Sequence, residues 1–253
     1  MERCHVRSRS EKGYRGPGGR GAGVDAVVVT PGGSRTAGAG VLSAGECRVV
    51  VRELEEADFE AMIAVCRRVY PTSKPWLTEQ LASHLRIFPA GQLVAHDRKS
   101  GELLGFASSL IVRWDDYAFD AEWREWTAGG YFTNHDPEIG RTLYGAEVMV
   151  DPARQRQGVG RLLYRARADL ARRLGLRRIR AAARLRGYGA QAAECSPQAY
   201  VDRVVRGELR DPTLSFQLSE GFRVLAVVSG YLRNDEESLG HAAIIEWLNP
   251  DEK

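Results

Sequence analysis

The stretch that decides the fold is residues 148–163, which read VMVDPARQRQGVGRLL. Three apolar residues end a strand, a Pro-containing turn follows, and Gly158 and Gly160 then open an amphipathic helix that we expect to end near Leu174. The first backbone N–H groups of such a helix have no partner within the helix, and the helix dipole adds positive charge there. Because glycines let a phosphate approach the backbone closely, this turn favours the binding of an anion.

Several familiar chemical motifs are absent from the chain. A P-loop needs Lys after its last glycine, but Arg161 follows Gly160, and a dinucleotide fingerprint needs a third glycine where Leu163 stands. No HExxH or GxSxG occurs, and the four cysteines lack metal-ligand spacing. The sequence therefore predicts no metal site, no disulfide framework and no hydrolase nucleophile.

Composition separates the chain into a tail and a folded part. The net charge is +3, and residues 1–40 hold seven Lys/Arg, three Asp/Glu and ten of the 27 glycines. Such a Gly/Arg-rich stretch cannot repay the entropy of ordering, so we expect residues 1–45 to be disordered and residues 46–250 to fold. No apolar run reaches the ~20 residues of a membrane span and no secretory signal is evident, which favours a cytoplasmic protein without membrane contact.

Hydrophobic periodicity predicts an α/β fold. Because the order of elements includes strand–helix–strand units among hairpins, we expect a parallel pair of strands within an otherwise antiparallel sheet. The predicted strands are 48–54, 92–97, 103–112, 144–150, 178–183, 222–233 and 241–247, and the predicted helices are 58–70, 77–88, 158–174, 197–206 and 213–219.

The central turn resembles the (Q/R)xxGx(G/A) signature of the GNAT superfamily of N-acetyltransferases. Gln155, Gly158 and Gly160 occupy its three defining positions, and Gly221-Phe222 follows a later helix as in that family. The resemblance covers about residues 48–248 and implies the GNAT fold, a mixed and mostly antiparallel sheet of six to seven strands with a parallel, splayed pair and flanking helices. The stretches ASSLIVRWDDY, LYGAEVMVDP and VVRGELRDPTLSFQLSEGFRV also resemble the acetyltransferase domain that precedes a nitrilase-type hydrolase in some bacterial fusion proteins; we expect the acetyltransferase part alone here.

The resemblance implies acetyl-CoA as the acyl donor and an amine of a small molecule or protein as the acceptor. Direct attack of the amine on the thioester requires both substrates to bind together in a ternary complex. By the resemblance, the turn binds the pyrophosphate and the end of the preceding strand binds the pantetheine arm. The implied cofactor-binding residues are Val148, Met149, Val150, Gln155, Arg156, Gln157, Gly158, Val159, Gly160 and Arg161.

The chain departs from the family at the usual proton donor. Many relatives place a tyrosine four residues before the Gly-Phe pair, where it protonates the departing thiolate, but Gln217 stands there. Tyr144, Tyr188 and Tyr200 are the candidate substitutes. The candidate base is Glu147, on the strand that carries the cofactor contacts, and the alternative is an ordinary solvent-facing or salt-bridged strand carboxylate.

Two other functions are compatible with the sequence. The missing tyrosine and the fusion-like sequence suggest a non-catalytic acyl-CoA-binding module that regulates a partner amidohydrolase. Residues 154–186 contain twelve arginines and one acid, a pattern of nucleic-acid-binding proteins, although partners for acids elsewhere explain it as well.

An acidic and aromatic insertion, residues 113–144, either lines the acceptor site or packs its rings on the core. The oligomeric state is not predicted.

Overall fold

The secondary structure follows the predicted order closely. The computed structural model describes residues 48–71, 73–233 and 235–252, so the predicted tail, residues 1–45, lies outside the described residues. The strands are β1 (Val49–Glu53), β2 (Gln92–Asp97), β3 (Leu103–Val112), β4 (Thr142–Val150), β5 (Arg178–Arg184), β6 (Arg223–Val228) and β7 (Ala242–Leu248). The α-helices are α1 (Phe59–Val69), α2 (Thr78–Ile87), α3 (Trp123–Trp126), α4 (Val159–Arg173), α5 (Pro197–Val205) and α6 (Leu214–Ser219).

One predicted strand is too long. The prediction extended β6 to residue 233, but the strand ends at Val228. The chain then turns, and Tyr231 packs into the core with its backbone N–H bonded to the carbonyl of Gly240. The apolar residues beyond Val228 therefore fill the core from a loop, which a strand-like hydrophobic pattern does not distinguish from a strand.

The strands form a single mixed sheet in the order β1-β2-β3-β4-β5-β7-β6. Neighbouring strands are antiparallel except β4 and β5, which are parallel. This parallel pair is in register only from Thr142 to Tyr144 on β4, although β4 continues to Val150. The two strands therefore separate, and we call the space between residues 145–150 and residues 181–184 the β4–β5 cleft. The predicted sheet with a parallel, splayed pair is confirmed.

The two faces of the sheet are covered by different elements. One face, which we call the α1 face, packs against α1, α2 and the segment 113–132, with Met62, Leu81 and Trp126 among its buried residues. The other, the α4 face, packs against α4, α5 and α6 through residues such as Leu170 and Val201. The β4–β5 cleft interrupts the sheet between these two strands. It therefore borders both the α1 face and the α4 face.

The acidic and aromatic insertion packs its own rings into the core of the α1 face. Trp126 is fully buried, and its ring stacks with those of Trp114, Tyr117 and Tyr144 at centroid distances of 4.3, 4.2 and 5.1 Å. Stacked aromatic rings of this kind contribute both buried apolar area and a specific geometry. The insertion therefore forms part of the hydrophobic core. No helix in the described ranges is long and apolar enough to cross a membrane.

His84 makes the stability of this core depend on pH. The ring is fully buried, stacks on Phe132 and lies with Nε2 2.7 Å from the carbonyl oxygen of Gly130. Burial lowers the pKa of His84 to about 4. An unfolded histidine binds its proton at about pH 6.5, so the folded state loses stability as the pH falls from about 6.5 towards 4.

We predict that His84→Gln reduces this acid sensitivity. Between about pH 7.5 and about pH 5, the wild type should lose about 2 kcal/mol more unfolding free energy than the variant, because glutamine has no proton to bind. Urea unfolding at both pH values measures this difference, and groups that titrate in both proteins cancel. Equal pH dependence of the two proteins would contradict the assignment.

Candidate functional site

The turn between β4 and α4 presents a run of unbonded backbone N–H groups. In the described part of the chain, none of the amides from Gln155 to Arg161 donates a hydrogen bond. The turn bends sharply because Arg156 and Gly158 have φ angles of 61° and 84°. A left-handed conformation is unstrained for glycine but costly for arginine, so Gly158 suits its position, whereas Arg156 carries local strain.

Neighbouring carboxylates hold the turn in place. Asp151 accepts a hydrogen bond from the backbone N–H of Ala153 and forms an ion pair with Arg68 at 2.6 Å. Arg154 pairs with Glu102 at 2.7 Å, and Arg161 pairs with Glu220 at 2.9 Å. Among the arginines of the turn, Arg156 alone makes no ion pair with another described residue.

The end of β4 borders the cleft on its open side. Val148, Met149 and Val150 pair with β3 along one edge, and their other edge has no partner in β5. A Cβ atom placed on Gly160 would lie 3.5 Å from the Phe216 ring and 3.8 Å from Val150 Cγ2. The start of α4, the end of β4 and helix α6 therefore meet beside the cleft, directly next to the free amides of the turn.

A bulge in β4 marks the inner end of the cleft. Ser108 of β3 pairs with Glu147, but the next residue, Ser109, pairs with Gly145, so Ala146 is an extra residue. A bulge of this kind bends a strand and redirects its side chains. From the α1 face, the indole Nε1 of Trp123 donates to the carbonyl of Ala146 at 3.0 Å.

From the α4 face, the same bulge is held by the buried side chain of Arg167. Its Nη2 donates to the carbonyls of Glu147 at 2.6 Å and Ser108 at 3.1 Å, and its Nε donates to Ser109 Oγ at 2.9 Å. A Cβ atom on Gly145 would lie only 2.8 Å from Arg167 Nη1, so a larger residue at this point would force the guanidinium to shift. Arg167 thus sits where β4 and β5 part.

Glu147 lies on the part of β4 that borders the cleft. Its Oε1 accepts a hydrogen bond from the backbone N–H of Val148 at 3.1 Å. Burial raises the pKa of Glu147 to about 7, while the Val148 amide and the charges of Arg167 and Arg184 act in the opposite direction. The negative charge of Glu147 is also the largest cause that raises the pKa of Tyr70. A carboxyl group that titrates near neutral pH is suited to accept and release a proton there.

Polar side chains surround Glu147 on the α1 face. Arg184 lies over the Tyr70 ring, 5.2 Å from its centroid, and pairs with Asp235 at 2.5 Å and with Glu237. The hydroxyls of Tyr144 and Tyr231 are 2.6 Å apart. This group of residues gives the α1 side of the cleft a polar, mostly ion-paired lining.

The structure does not bring all of the predicted catalytic residues together. Tyr188 and Tyr200 belong to the core of the α4 face, where their hydroxyls donate to the carbonyl of Cys195 at 3.2 Å and to Asp211 at 2.9 Å. Glu147 and Tyr144 lie on the α1 face instead, where the charge of Glu147 contributes to raising the pKa values of Tyr144 and Tyr231. The predicted cofactor residues, by contrast, lie together from the end of β4 to the start of α4, although the side chains of Met149 and Val159 are buried.

Sequence reasoning missed Arg167 and Tyr164. Arg167 stands four residues after Leu163, on the apolar face of α4, and a charged residue on a buried helical face is the signal that points to it. Tyr164 had no such signal. Its hydroxyl accepts a hydrogen bond from Gln217 Nε2 at 2.7 Å, a contact between two helices that the sequence does not reveal.

Seven of the twelve arginines in residues 154–186 form ion pairs with acids from elsewhere in the described part of the fold. Glu246 contacts two of them, Arg178 and Arg180, and also Arg223 of β6. Ion pairs within the fold therefore neutralise more than half of the segment's arginines, in line with the solvated and paired interpretation of residues 154–186.

Comparison with known proteins points to one protein family. The acetyltransferase (GNAT) family matches residues 50–193. The chain is 41% identical over 206 residues to a Bacillus subtilis (strain 168) protein named "Probable hydrolase YhcX", with 81% of this chain and 40% of that protein covered. The chain thus spans less than half of that relative's length. It is 34% identical over 205 residues to "Uncharacterized N-acetyltransferase YkwB" of the same organism, with 79% and 89% covered.

Solved structures agree with the fold. The GphF GNAT-like decarboxylase in complex with isobutyryl-CoA matches with a TM-score of 0.66 and 25% identity, over 79% of this chain and 98% of that one. The loading GNATL domain of CurA from Lyngbya majuscula matches with the same TM-score at 18% identity, over 79% and 98% of the two chains, which shows the fold alone. On the family match and on these relatives, the chain belongs to the GNAT acetyltransferase family.

Proposed function

We propose that this protein is an acetyl-CoA-dependent N-acyltransferase that moves the acetyl group to an amine by direct attack in a ternary complex. The observation that carries the proposal is the juxtaposition of three features: the free amides of residues 155–161, the β4–β5 cleft, and a carboxyl group, Glu147, that titrates near neutral pH. Together they offer an anion site, a channel between two strands and a base.

The residues present fit acetyl-CoA. The amides from Gln155 to Arg161 bind the pyrophosphate, with Arg156 as the unpaired cation beside them. The free edge of Val148, Met149 and Val150 hydrogen-bonds the amides of the pantetheine arm. The complex of the similar GphF protein with isobutyryl-CoA supports an acyl-CoA as the ligand class. Acetyl-CoA would supply the activated acyl group.

Glu147 takes the proton from the attacking amine. Its pKa of about 7 lets it remain ionised in a useful fraction of molecules at neutral pH, whereas an ordinary carboxylate is a weaker base. The amine approaches from the α1 face, where Glu147 adds negative charge to a lining whose other acids are paired with Arg184. These groups favour a small-molecule or protein amine over a polyanion such as nucleic acid.

The described cysteines do not favour a covalent acyl-enzyme. Cys66 is buried and burial raises its pKa to about 12, so it is not a thiolate at neutral pH. Cys195 is half-buried and lies against the Gln191 carbonyl, among residues that face away from Glu147. Direct transfer therefore fits the site better than a ping-pong route.

We predict that Gly160→Glu abolishes most acetyl-CoA binding while Gly160→Gln affects it less. Position 160 has ordinary space for a Cβ atom, so both variants should fold. The two side chains have the same size, but a carboxylate ~4 Å from a phosphate adds about 1–4 kcal/mol of repulsion, which is at least about a fivefold loss. Isothermal titration with acetyl-CoA measures the difference. Equal affinities of the two variants would indicate that the pyrophosphate does not bind at this turn.

We also predict that Glu147→Gln lowers kcat about 10²-fold or more, since the amide cannot accept the amine proton. In the wild type, kcat/KM should rise with pH through about 7 as Glu147 ionises, and this limb should vanish in the variant. The assay follows release of the coenzyme A thiol with a panel of amino acids, polyamines, arylamines and peptides. Glu138→Gln, which changes an exposed acid in the loop before the paired end of β4, is the control.

Binding of acetyl-CoA without transfer to any amine of the panel would overturn the enzymatic proposal. In that case the acyl-CoA-binding module becomes the better interpretation. Its suggested partner, an amidohydrolase, is motivated by the similarity to YhcX, of which this chain covers 40%.

A further inference from the structure

Gln217 occupies the position where many relatives carry the proton-donating tyrosine, and it contacts a tyrosine from another helix. The amide Nε2 of Gln217 on α6 donates to the hydroxyl oxygen of Tyr164 on α4, at 2.7 Å. Both side chains are buried, with 5% and 8% of their surface exposed. Tyr164 lies four residues after Gly160, one helical turn below the free amides of the turn.

The proton of the Tyr164 hydroxyl is not engaged. Within the described ranges, this hydroxyl accepts the bond from Gln217 and donates none. Other tyrosine hydroxyls of the α4 face are committed, because Tyr188 donates to the Cys195 carbonyl and Tyr200 donates to Asp211. Tyr144 is bonded to Tyr231 on the opposite face. Tyr164 is therefore the tyrosine of the α4 face that has a proton to give.

A second observation indicates that a ligand belongs beside this pair. The other amide atom of Gln217, Oε1, is buried and has no hydrogen-bond partner among the described residues. A buried acceptor without a partner is costly, and the two amide N–H groups of a pantetheine arm are donors of the right kind. Helix α6 also supplies Phe216, which lies next to Gly160 and Val150 at the cleft.

We propose that Tyr164, held by the amide of Gln217, is the acid that protonates the sulfur of coenzyme A as the thiolate leaves. The inference rests on the proposed N-acyltransferase function. It assigns to α4 a role that many relatives give to a tyrosine of the helix before the Gly-Phe pair.

The protons and bonds balance. The amine nitrogen forms a bond to the acyl carbon and gives its proton to Glu147, while the carbon–sulfur bond breaks and its electron pair goes to sulfur. The proton of Tyr164 moves to sulfur and yields the free thiol. Tyr164 regains a proton from solvent and Glu147 releases one, so the enzyme returns to its starting state.

The surroundings of Tyr164 suit this role. Burial raises its pKa, which keeps the hydroxyl protonated until the thiolate forms, whereas the charge of Arg167 and the Gln217 bond favour the tyrosinate. The Arg167 guanidinium lies 5.7 Å from the centre of the Tyr164 ring. Tyr164 also lines a cavity of about 310 Å³ together with Phe222 and Trp247, which gives solvent a route to the ring.

The first test measures binding and needs no acceptor. Titrations compare coenzyme A with desulfo-coenzyme A, in the wild type and in Tyr164→Phe, at about pH 9, where a fraction of the thiol is ionised. A hydrogen bond from Tyr164 to the thiolate predicts that the variant binds coenzyme A at least about tenfold more weakly. Desulfo-coenzyme A should bind both proteins equally. Equal binding of coenzyme A to both proteins overturns the proposal.

The matched control is Tyr117→Phe. The Tyr117 hydroxyl also accepts a hydrogen bond from a side-chain amide, Asn134 Nδ2 at 2.6 Å, but it lies within the aromatic stack of the α1 face. This variant removes a comparable hydrogen bond and should leave the affinity for coenzyme A unchanged. A loss of the same size in both variants would indicate a general structural effect and overturn the specific role.

The second test measures the chemistry. With acetyl-CoA, Tyr164→Phe should lower kcat about 10²-fold. With the acetyl selenoester of the same cofactor, most of that loss should disappear, because a selenolate leaves without protonation. An equal loss with both donors overturns the acid role. A loss in Tyr188→Phe or Tyr200→Phe that the selenoester rescues would assign the acid to that residue instead.

The failure of the proposed function has a different signature. If the wild type binds acetyl-CoA but releases no thiol with any amine or with water, the transferase proposal is wrong, and the acid role with it. If the wild type turns over and Tyr164→Phe turns over equally well, only the role of Tyr164 is wrong.

Discussion

The site depends on a buried guanidinium beneath a bulged strand. Arg167 is 2% exposed and has no carboxylate partner among the described residues; its hydrogen bonds go to two carbonyls and one hydroxyl of β3 and β4. A buried charge is tolerated only when its donors are satisfied, so the carbonyls of Ser108 and Glu147 must keep their places. The bulge, and with it the geometry of the cleft, is fixed by that requirement.

The same interaction lies at the point where the two parallel strands separate. The guanidinium lies against Gly145, close to Ala181 of β5, at the point where pairing between β4 and β5 stops. A larger side chain at position 145 would collide with it. The separation leaves one edge of β4 without a strand partner, and it places the amides of the turn and the carboxyl group of Glu147 along one cleft, as the proposed reaction requires.

Burial on this scaffold produces groups with unusual proton affinities. The pKa of Glu147 rises to about 7 because the α1 face covers it, and Arg167 and Arg184 limit the rise. On the α4 face, burial likewise raises the pKa of Tyr164 while Arg167 opposes it. One cation therefore moderates the groups proposed as base and as acid, which makes its position in the fold important for both proton transfers.

The sequence by itself determined the order of the strands and helices, the parallel pair and the turn at Gln155–Arg161, because periodicity and glycine spacing are local properties of the chain. It also pointed to Glu147, through its place on the strand before that turn.

Only the tertiary structure decided that Arg167 holds the bulge and that Gln217 holds Tyr164. The contacts of Arg167 with Ser109 and Ser108 join residues 58 and 59 positions apart, and the contact of Gln217 with Tyr164 joins residues 53 positions apart. The role of the aromatic insertion was likewise decided by the tertiary structure. Its composition was compatible with a binding surface or with core packing, and the packing of Trp126 against Tyr144 shows that it forms part of the core. Long-range hydrogen bonds and burial arise from packing between elements, and local pattern does not specify them.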